Sequence, residues 1–313
     1  MQALSSPMSS HPQRQRGNAV VWILVLLILA GAGFAGWWFF LRGGASGHAP
    51  ALLNRAIPAE ATAVIGVDPQ AVLKSKVVGD LLAATGQSLD SVKAQLATAK
   101  VDLDTFQAVI IGLNPADESG VLATQGKLDV ATLKGAVLAA SIANPKLAEV
   151  VNTIQFEGLD DGLVVAGRGD VYTKALAVAR GQSTGGLDPK IGQIAGAVDM
   201  GAAIWAAGAI PADAPVNEGM VTSQLGGTPT HAALSIDPGD TLTIRVALLI
   251  PGADGAKAAA NIKAALGLVP AELLPPGAGD VLKSLELDGA GEILKGAVKL
   301  DAALLASLAK LAN

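Results

Sequence analysis

Hydrophobic residues form one long unbroken block near the start of the chain and only short blocks after it. The long block, Ala19–Leu41, contains no charged residue. As a helix it would be about 34 Å long, which is enough to cross the hydrocarbon core of a bilayer. It ends in the aromatic run WWFF at residues 37–40, a composition typical of a membrane–water interface. The pattern predicts a single transmembrane helix over residues 19–41, with a cleaved signal peptide as the alternative.

The residues on either side of this block predict its orientation. Arg14 and Arg16 precede it, and only Arg42 follows it directly. The excess of positive charge before the block predicts a single-pass protein of the inner (cytoplasmic) membrane, with its N-terminus inside and its C-terminal domain exported. Residues 1–18, rich in Ser, Gln and Pro, are expected to be a disordered cytoplasmic tail, and residues 42–50 a flexible tether.

After residue 50, stretches with the two-residue period of strands alternate with stretches that have the period of helices. Val64–Asp68 is a predicted strand, and Asp68-Pro69 predicts a helix start with an Asp cap and Pro in the first helical position. Other helices are expected to start at capping residues Asp129, Asp170, Asp254 and Asp301, whereas Pro215 and Gly219 make a helix over residues 211–225 doubtful. Further strands are predicted at Gln107–Leu113, Val121–Leu128, Thr153–Gly158, Leu163–Gly167, Leu282–Asp288 and Glu292–Leu300.

The two halves of this region carry the same sequence of signals, which indicates an internal duplication. Residues 189–205, PKIGQIAGAVDMGAAIW, align with residues 50–66 so that Trp205 matches Gly66. Strands joined by short turns favour antiparallel sheets with helices packed on them. The predicted fold class is therefore α+β, with an N-terminal transmembrane helix followed by two duplicated β-α-β-β-α-β-β-α units with mainly antiparallel sheets. Unit 1 covers residues 51–181, the Gly-rich linker 182–188, and unit 2 residues 189–313.

Composition excludes several classes of partner. The chain has 27 acidic and 22 basic residues, and three of the basic ones lie beside the long apolar block. The rest of the chain is thus acidic, and only four aromatic residues fall in it: Phe106, Phe156, Tyr172 and Trp205. An acidic, aromatic-poor domain is a poor match for nucleic acid. With no cysteine and one histidine within the predicted domain, no metal site is predicted.

Motifs that carry chemistry occur only in unsuitable contexts. Gly31–Gly36 matches a dinucleotide fingerprint but lies inside the long apolar block, so no cofactor is predicted. Ser183, in GQSTG, matches a nucleophile elbow, yet it follows a predicted helix rather than a strand. Ser183 with His231 is retained as an alternative, a hydrolase pair. Asp170 belongs to the tripeptide Arg168-Gly169-Asp170, and its role as helix cap accounts for it.

The stretch Ile57–Pro69, IPAEATAVIGVDP, placed after an N-terminal apolar span, resembles the opening of uncharacterised single-span bacterial envelope proteins with a large exported Ala/Leu-rich α+β region. The resemblance implies a bacterial source and transfers no catalytic residue. The predicted function is a non-enzymatic, membrane-anchored protein-interaction or scaffold module. Small residues Ala32 and Gly36 are spaced for self-association of the apolar helix, which would give a homo-oligomer. The other alternative is a carrier of an apolar ligand or lipid in an interdomain groove.

Overall fold

Ten strands form one continuous antiparallel sheet in the computed structural model of the chain. The structure describes residues 49–84, 88–90, 93–94, 103–127, 130–131, 133–135, 153–159, 162–212, 214–217, 219–239, 241–268 and 278–301. The strands are β1 Ala63–Val67, β2 Phe106–Asn114, β3 Ser119–Gly126, β4 Gln155–Gly158, β5 Leu163–Arg168, β6 Ile204–Ala209, β7 His231–Pro238, β8 Leu242–Leu249, β9 Glu286–Ala290 and β10 Ile293–Leu300.

Each half of the chain contributes five strands, and both halves use the same order. Across the sheet the strands run β4-β5-β3-β2-β1-β6-β7-β8-β10-β9. Read outward from the centre, the first half is therefore β1-β2-β3-β5-β4 and the second is β6-β7-β8-β10-β9. The halves meet where β1 pairs with β6, with Val64 opposite Ala207 and Gly66 opposite Trp205.

Helices fill the connections between strands. Those with described ends are α1 Ala49–Ala56, α2 Pro69–Lys74, α3 Lys76–Ala84, α4 Gly169–Ala179, α5 Pro189–Ala195, α6 Gly219–Leu225, α7 Gly255–Gly267 and α8 Ala278–Ser284, with short 3-10 turns at Leu103–Thr105 and Pro215–Asn217. Residues 89–90, 93–94, 130–131 and 133–135 are helical as well. The predicted cap at Asp68 is confirmed, because its carboxylate accepts a hydrogen bond from the backbone N–H of Ala71 at 2.5 Å. The cap at Asp254 is confirmed as well, with bonds from Ala256 and Lys257.

Side chains alternate between two faces of the sheet. The first face carries residues such as Val64, Ile110 and Trp205, and helices α1, α4 and α5 pack on it to form one core cluster that includes both halves. The second face carries residues such as Val67, Ile111 and Leu248. Two separate clusters cover this face, one in each half: the first includes Leu73 and Leu133, and the second includes residues of α6 and α7.

The predicted fold class was wrong in two respects. First, the strands of the two halves do not form separate sheets; they pair along β1 and β6 into a single one, and residues Phe39–Asn313 make one compact unit. Alternation within each strand is a local signal, whereas the pairing of β1 with β6 joins segments far apart in the chain. Local patterns could not show that pairing.

Second, across the residues that the structure describes, no helix combines the length and the apolar character needed to span a bilayer. The fold class is therefore corrected to a mixed α+β fold with one large antiparallel sheet, and no described helix supports the predicted membrane anchor. The predicted span at residues 19–41, including Ala32 and Gly36, lies outside the described residues.

Two other predictions at residue level were also wrong. Asp170 does not cap α4: the cap position is Arg168, without a side-chain cap bond, and Asp170 lies in the first turn. Residues 282–284 belong to α8 rather than to a strand, and β9 begins at Glu286. The doubtful segment near Gly219 does form a helix, α6, because its Val221 and Leu225 pack into the core cluster of the second half. The helix expected after Asp129 is confirmed, because residues 130–131 and 133–135 are helical, although Asp129 itself lies outside the described residues. The helix expected after Asp301 also lies outside them.

Candidate functional site

The predicted hydrolase pair does not form a catalytic arrangement. Ser183 is exposed in the segment between α4 and α5, and no hydrogen bond between Ser183 and His231 occurs among the described residues. His231 lies at the start of β7, where its Nδ1 is 3.0 Å from the hydroxyl oxygen of Thr230. Burial, and then the positive charge of Lys190, lower the pKa of His231. The ring therefore favours its neutral form, and its hydroxyl neighbour is Thr230 rather than Ser183.

No group of three or more His, Cys, Asp or Glu side chains is arranged to hold a metal ion within the described ranges. The most developed polar arrangement on the first face joins Ser235 on β7 to Arg245 on β8, a directly opposed pair. The Arg245 guanidinium lies 3.8 Å from the Asp199 carboxylate, and the Asp199 N–H donates to the buried Ser235 hydroxyl at 3.4 Å. The charges of Arg245 and Asp199 balance each other, and this arrangement fits a structural role.

The second face of the sheet has a different character. Outside the irregularity of β2 at Gln107, only Thr124 and Arg168 carry a polar side chain among its strand residues, all of which are described, and the rest are apolar, Gly or Pro. Thr124 is fully buried, and its hydroxyl donates to the Ala108 carbonyl at 2.9 Å. Arg168 is thus the one charged strand residue on this face.

Two neighbouring rows of the second face stay partly exposed in the middle of the sheet, where strands flank them on both sides. We call these apolar residues the trough. In the first row, cross-strand pairs connect Gly120, Leu113, Ala63, Gly208 and Ala232. The second row contains Leu122 and, on the other side of the buried Ile111, Ile65, Ala206, Leu234 and Val246.

The trough lies between the two core clusters of the second face. Ile65, Leu113 and Leu122 border the cluster of the first half, and Ala232 borders the cluster of the second half. Beyond Ala232 the first row continues into Leu248, which is buried. The trough is therefore a partly exposed apolar strip between two covered regions, and several of its positions are Ala or Gly.

Arg168 extends the first row at its outer end. It pairs directly with Gly120, and Gly120 pairs with Leu113. A Cβ at Gly120 would lie 2.9 Å from Leu113 Cδ2, so the Leu113 side chain occupies the space above the glycine. The guanidinium Nη2 of Arg168 is 3.4 Å from the Glu118 carboxylate, with exposures of 33% and 81% for the two side chains. Sequence analysis missed this site, although the alternation Val164, Ala166, Arg168 contains its signal.

Comparisons with known proteins give no function. No protein-family model matches the chain, and no curated protein matches it. Among solved structures, crystal form I of TP0453 aligns with 82% of this chain and 95% of its own, at a TM-score of 0.40 and 10% identity. Crystal form III of TP0453 aligns with 82% and 96%, at a TM-score of 0.39 and 10% identity. Similarity at this level carries no argument about function.

Proposed function

We propose that the protein is a non-enzymatic carrier that binds an elongated apolar ligand in the trough. The observation that carries the proposal is the partial exposure of Ile65, Ala206, Leu234 and Val246 at the centre of the sheet. Central positions of a sheet normally form the core, and leaving apolar area in water costs about 25 cal/mol per Å². A ligand that covers these residues would recover that free energy.

The shape of the trough favours a thin ligand over a protein surface. Its residues are partly covered rather than prominent, whereas Leu268 is the large apolar residue that stands out from the described surface, at 83% exposure. From Ile65 on β1 to Val246 on β8 the partly exposed part of the second row crosses three strand spacings, about 14 Å. An unbranched hydrocarbon chain is thin enough to lie along such a row.

The edges of the sheet offer little to a protein partner that binds by adding a strand. Both edge strands are short, and their outward positions carry charge: Glu157 on β4, and Glu286 and Asp288 on β9. Short, charged edge strands oppose pairing with another chain. The scaffold or protein-interaction function therefore stays a prediction from the sequence, and the trough gives the apolar-ligand alternative its support.

The proposal is tested with the neutral dye N-phenyl-1-naphthylamine, whose fluorescence rises in apolar surroundings. The full-length protein should bind it, and Ala206→Leu, which fills the trough, should weaken binding about tenfold, the effect of losing about 1.4 kcal/mol. Ala297→Leu is the matched control, because Ala297 is a partly exposed alanine on the first face of β10.

A thermal melt of each variant separates an effect on binding from an effect on folding. Equal dye affinity of the wild type, Ala206→Leu and Ala297→Leu would contradict the proposal, because dye bound elsewhere on the chain would not respond to Ala206. Absence of dye binding by the wild type would contradict it equally.

A further inference from the structure

We infer that Arg168 holds the head of the ligand, and that the ligand is a single-chain amphiphile with an anionic headgroup, a carboxylate or a phosphate. The inference rests on the proposed function of the trough and names the class of ligand. Its starting point is the position of Arg168 as the one charged strand residue on an otherwise apolar sheet face.

The order of residues along the first row matches the order of groups in an amphiphile. The charged end is Arg168 on β5, and the apolar part continues through Leu113 on β2 and Ala63 on β1 to Ala232 on β7. Five strand spacings separate β5 from β7, about 24 Å in all. A chain lying along the row would place its head against the guanidinium and its tail over Gly208 and Ala232.

The contacts of Arg168 leave it able to bind an anion. Its bond to Glu118 is long, at 3.4 Å, and the Glu118 carboxylate is 81% exposed. Exposed ion pairs contribute little to stability, so an incoming anion would displace or share Glu118 at small cost. A guanidinium carries five N–H donors in a planar fork and binds carboxylate or phosphate through two parallel hydrogen bonds.

The alternative is that Arg168 binds only Glu118. The two residues would then form a surface ion pair, and the headgroup of a ligand would not affect its affinity. The charge of the two residues would then be balanced, and the trough would bind neutral and anionic chains alike. This alternative makes a different prediction from ours, and a comparison of headgroups on chains of equal length distinguishes them.

The experiment measures competition of tetradecanoate and of tetradecan-1-ol for the dye on full-length protein, below the concentration at which either aggregates. We expect tetradecanoate to bind about tenfold more tightly, as a hydrogen-bonded charge pair would provide. Arg168→Met should reduce tetradecanoate to the affinity of the alcohol and leave the alcohol unchanged. Tetradecyl phosphate should show the same preference over the alcohol.

Control variants make each outcome decisive. Arg180→Met removes a guanidinium that pairs with Glu157 at the C-terminal end of α4, away from the trough, and should leave both affinities unchanged. Arg168→Lys keeps the charge and should keep part of the preference, which covers the case in which Arg168→Met fails to fold. Equal affinity of tetradecanoate and alcohol for the wild type overturns the headgroup inference while leaving the apolar carrier intact. If neither competes and the dye does not bind, the proposed function fails, and this inference fails with it.

Discussion

The indole of Trp205 lies directly against the backbone of Gly66, at the centre of the seam where β1 meets β6. The two residues are paired across the strands, and an ideal Cβ on Gly66 would lie 2.6 Å from Trp205 Cζ2. Trp205 is 1% exposed, and its Nε1 has no hydrogen-bond partner within the described structure. Since opposed side chains on one face lie about 5 Å apart, a tryptophan fits here only where its partner has no side chain.

This pair predicts the effect of adding a single methyl group. Gly66→Ala should destabilise the protein by about 1–3 kcal/mol, because the indole must move or the strands must separate. Urea denaturation measures the change. Gly79→Ala is the control: Gly79 lies in α3 with Leu89 Cδ1 3.9 Å from the added carbon, and alanine is the better helix former there. Equal loss of stability in both variants would contradict the steric account.

The correspondence of Gly66 and Trp205 could be predicted from the sequence, but their pairing could not. The alignment of residues 50–66 with 189–205 matched Gly66 to Trp205, and the structure pairs these two residues across the seam. Because the strand order is the same on either side of it, equivalent residues meet there. Sequence similarity could suggest that the segments correspond, but it could not show that they pair with each other and unite the sheet.

The strands were easier to predict than the trough for a physical reason. Val121 and Leu163 belong to runs whose alternation depends on near neighbours in sequence, and both lie in strands as predicted. Exposure of Leu234 or Val246 depends instead on where helices from distant parts of the chain lie. In the sequence Arg168 is recognisable only as part of the tripeptide Arg168-Gly169-Asp170, because only the cross-strand register shows that it extends an apolar row.

Two aspartates near helix starts should differ in their effect on stability. Asp254→Ala should cost about 1 kcal/mol, because its carboxylate accepts from two backbone N–H groups at the start of α7. Asp170→Ala should cost less, up to about 0.5 kcal/mol, because Asp170 lies in the first turn of α4 and acts only through the helix dipole. Urea denaturation of both variants checks the difference, and a larger loss for Asp170→Ala would show that it has a capping role after all.

Acid should weaken the ion pair between Glu60, in the turn before β1, and Lys174 in α4. The hydrogen bond from Lys174, at 2.8 Å, is the main cause that lowers the pKa of Glu60. A carboxyl group with a lowered pKa stabilises the fold above its ordinary pKa of about 4.3, and this stabilisation is lost as the pH falls through the lowered value. Both side chains are 47% exposed, so the contribution is small and should shrink further in high salt.

The measurement is the denaturation midpoint of wild type and Glu60→Gln between pH 7 and pH 3. The wild type should lose more stability than the variant over this interval, and Lys174→Met should resemble Glu60→Gln. Parallel pH profiles for all three proteins would show that the pair contributes nothing to folding.

Cutting the chain between its two halves should leave them together. The segment from Gly181 to Gly186 connects α4 to the residues before α5, and Ser183 within it is exposed. The halves are held instead by the β1–β6 ladder and by a core cluster that includes Leu52 and Ile57 from the first half and Ile191 and Ile194 from the second. We therefore expect a protease site inserted after Gln182 to be cleaved while the fragments elute from a sizing column as one species.

A protease site inserted after Leu268, in the second half alone, is the control for cleavage itself. Fragments that separate after cleavage at Gln182 without denaturant would show that the seam is too weak to unite the halves, and the continuous sheet would then depend on the intact chain.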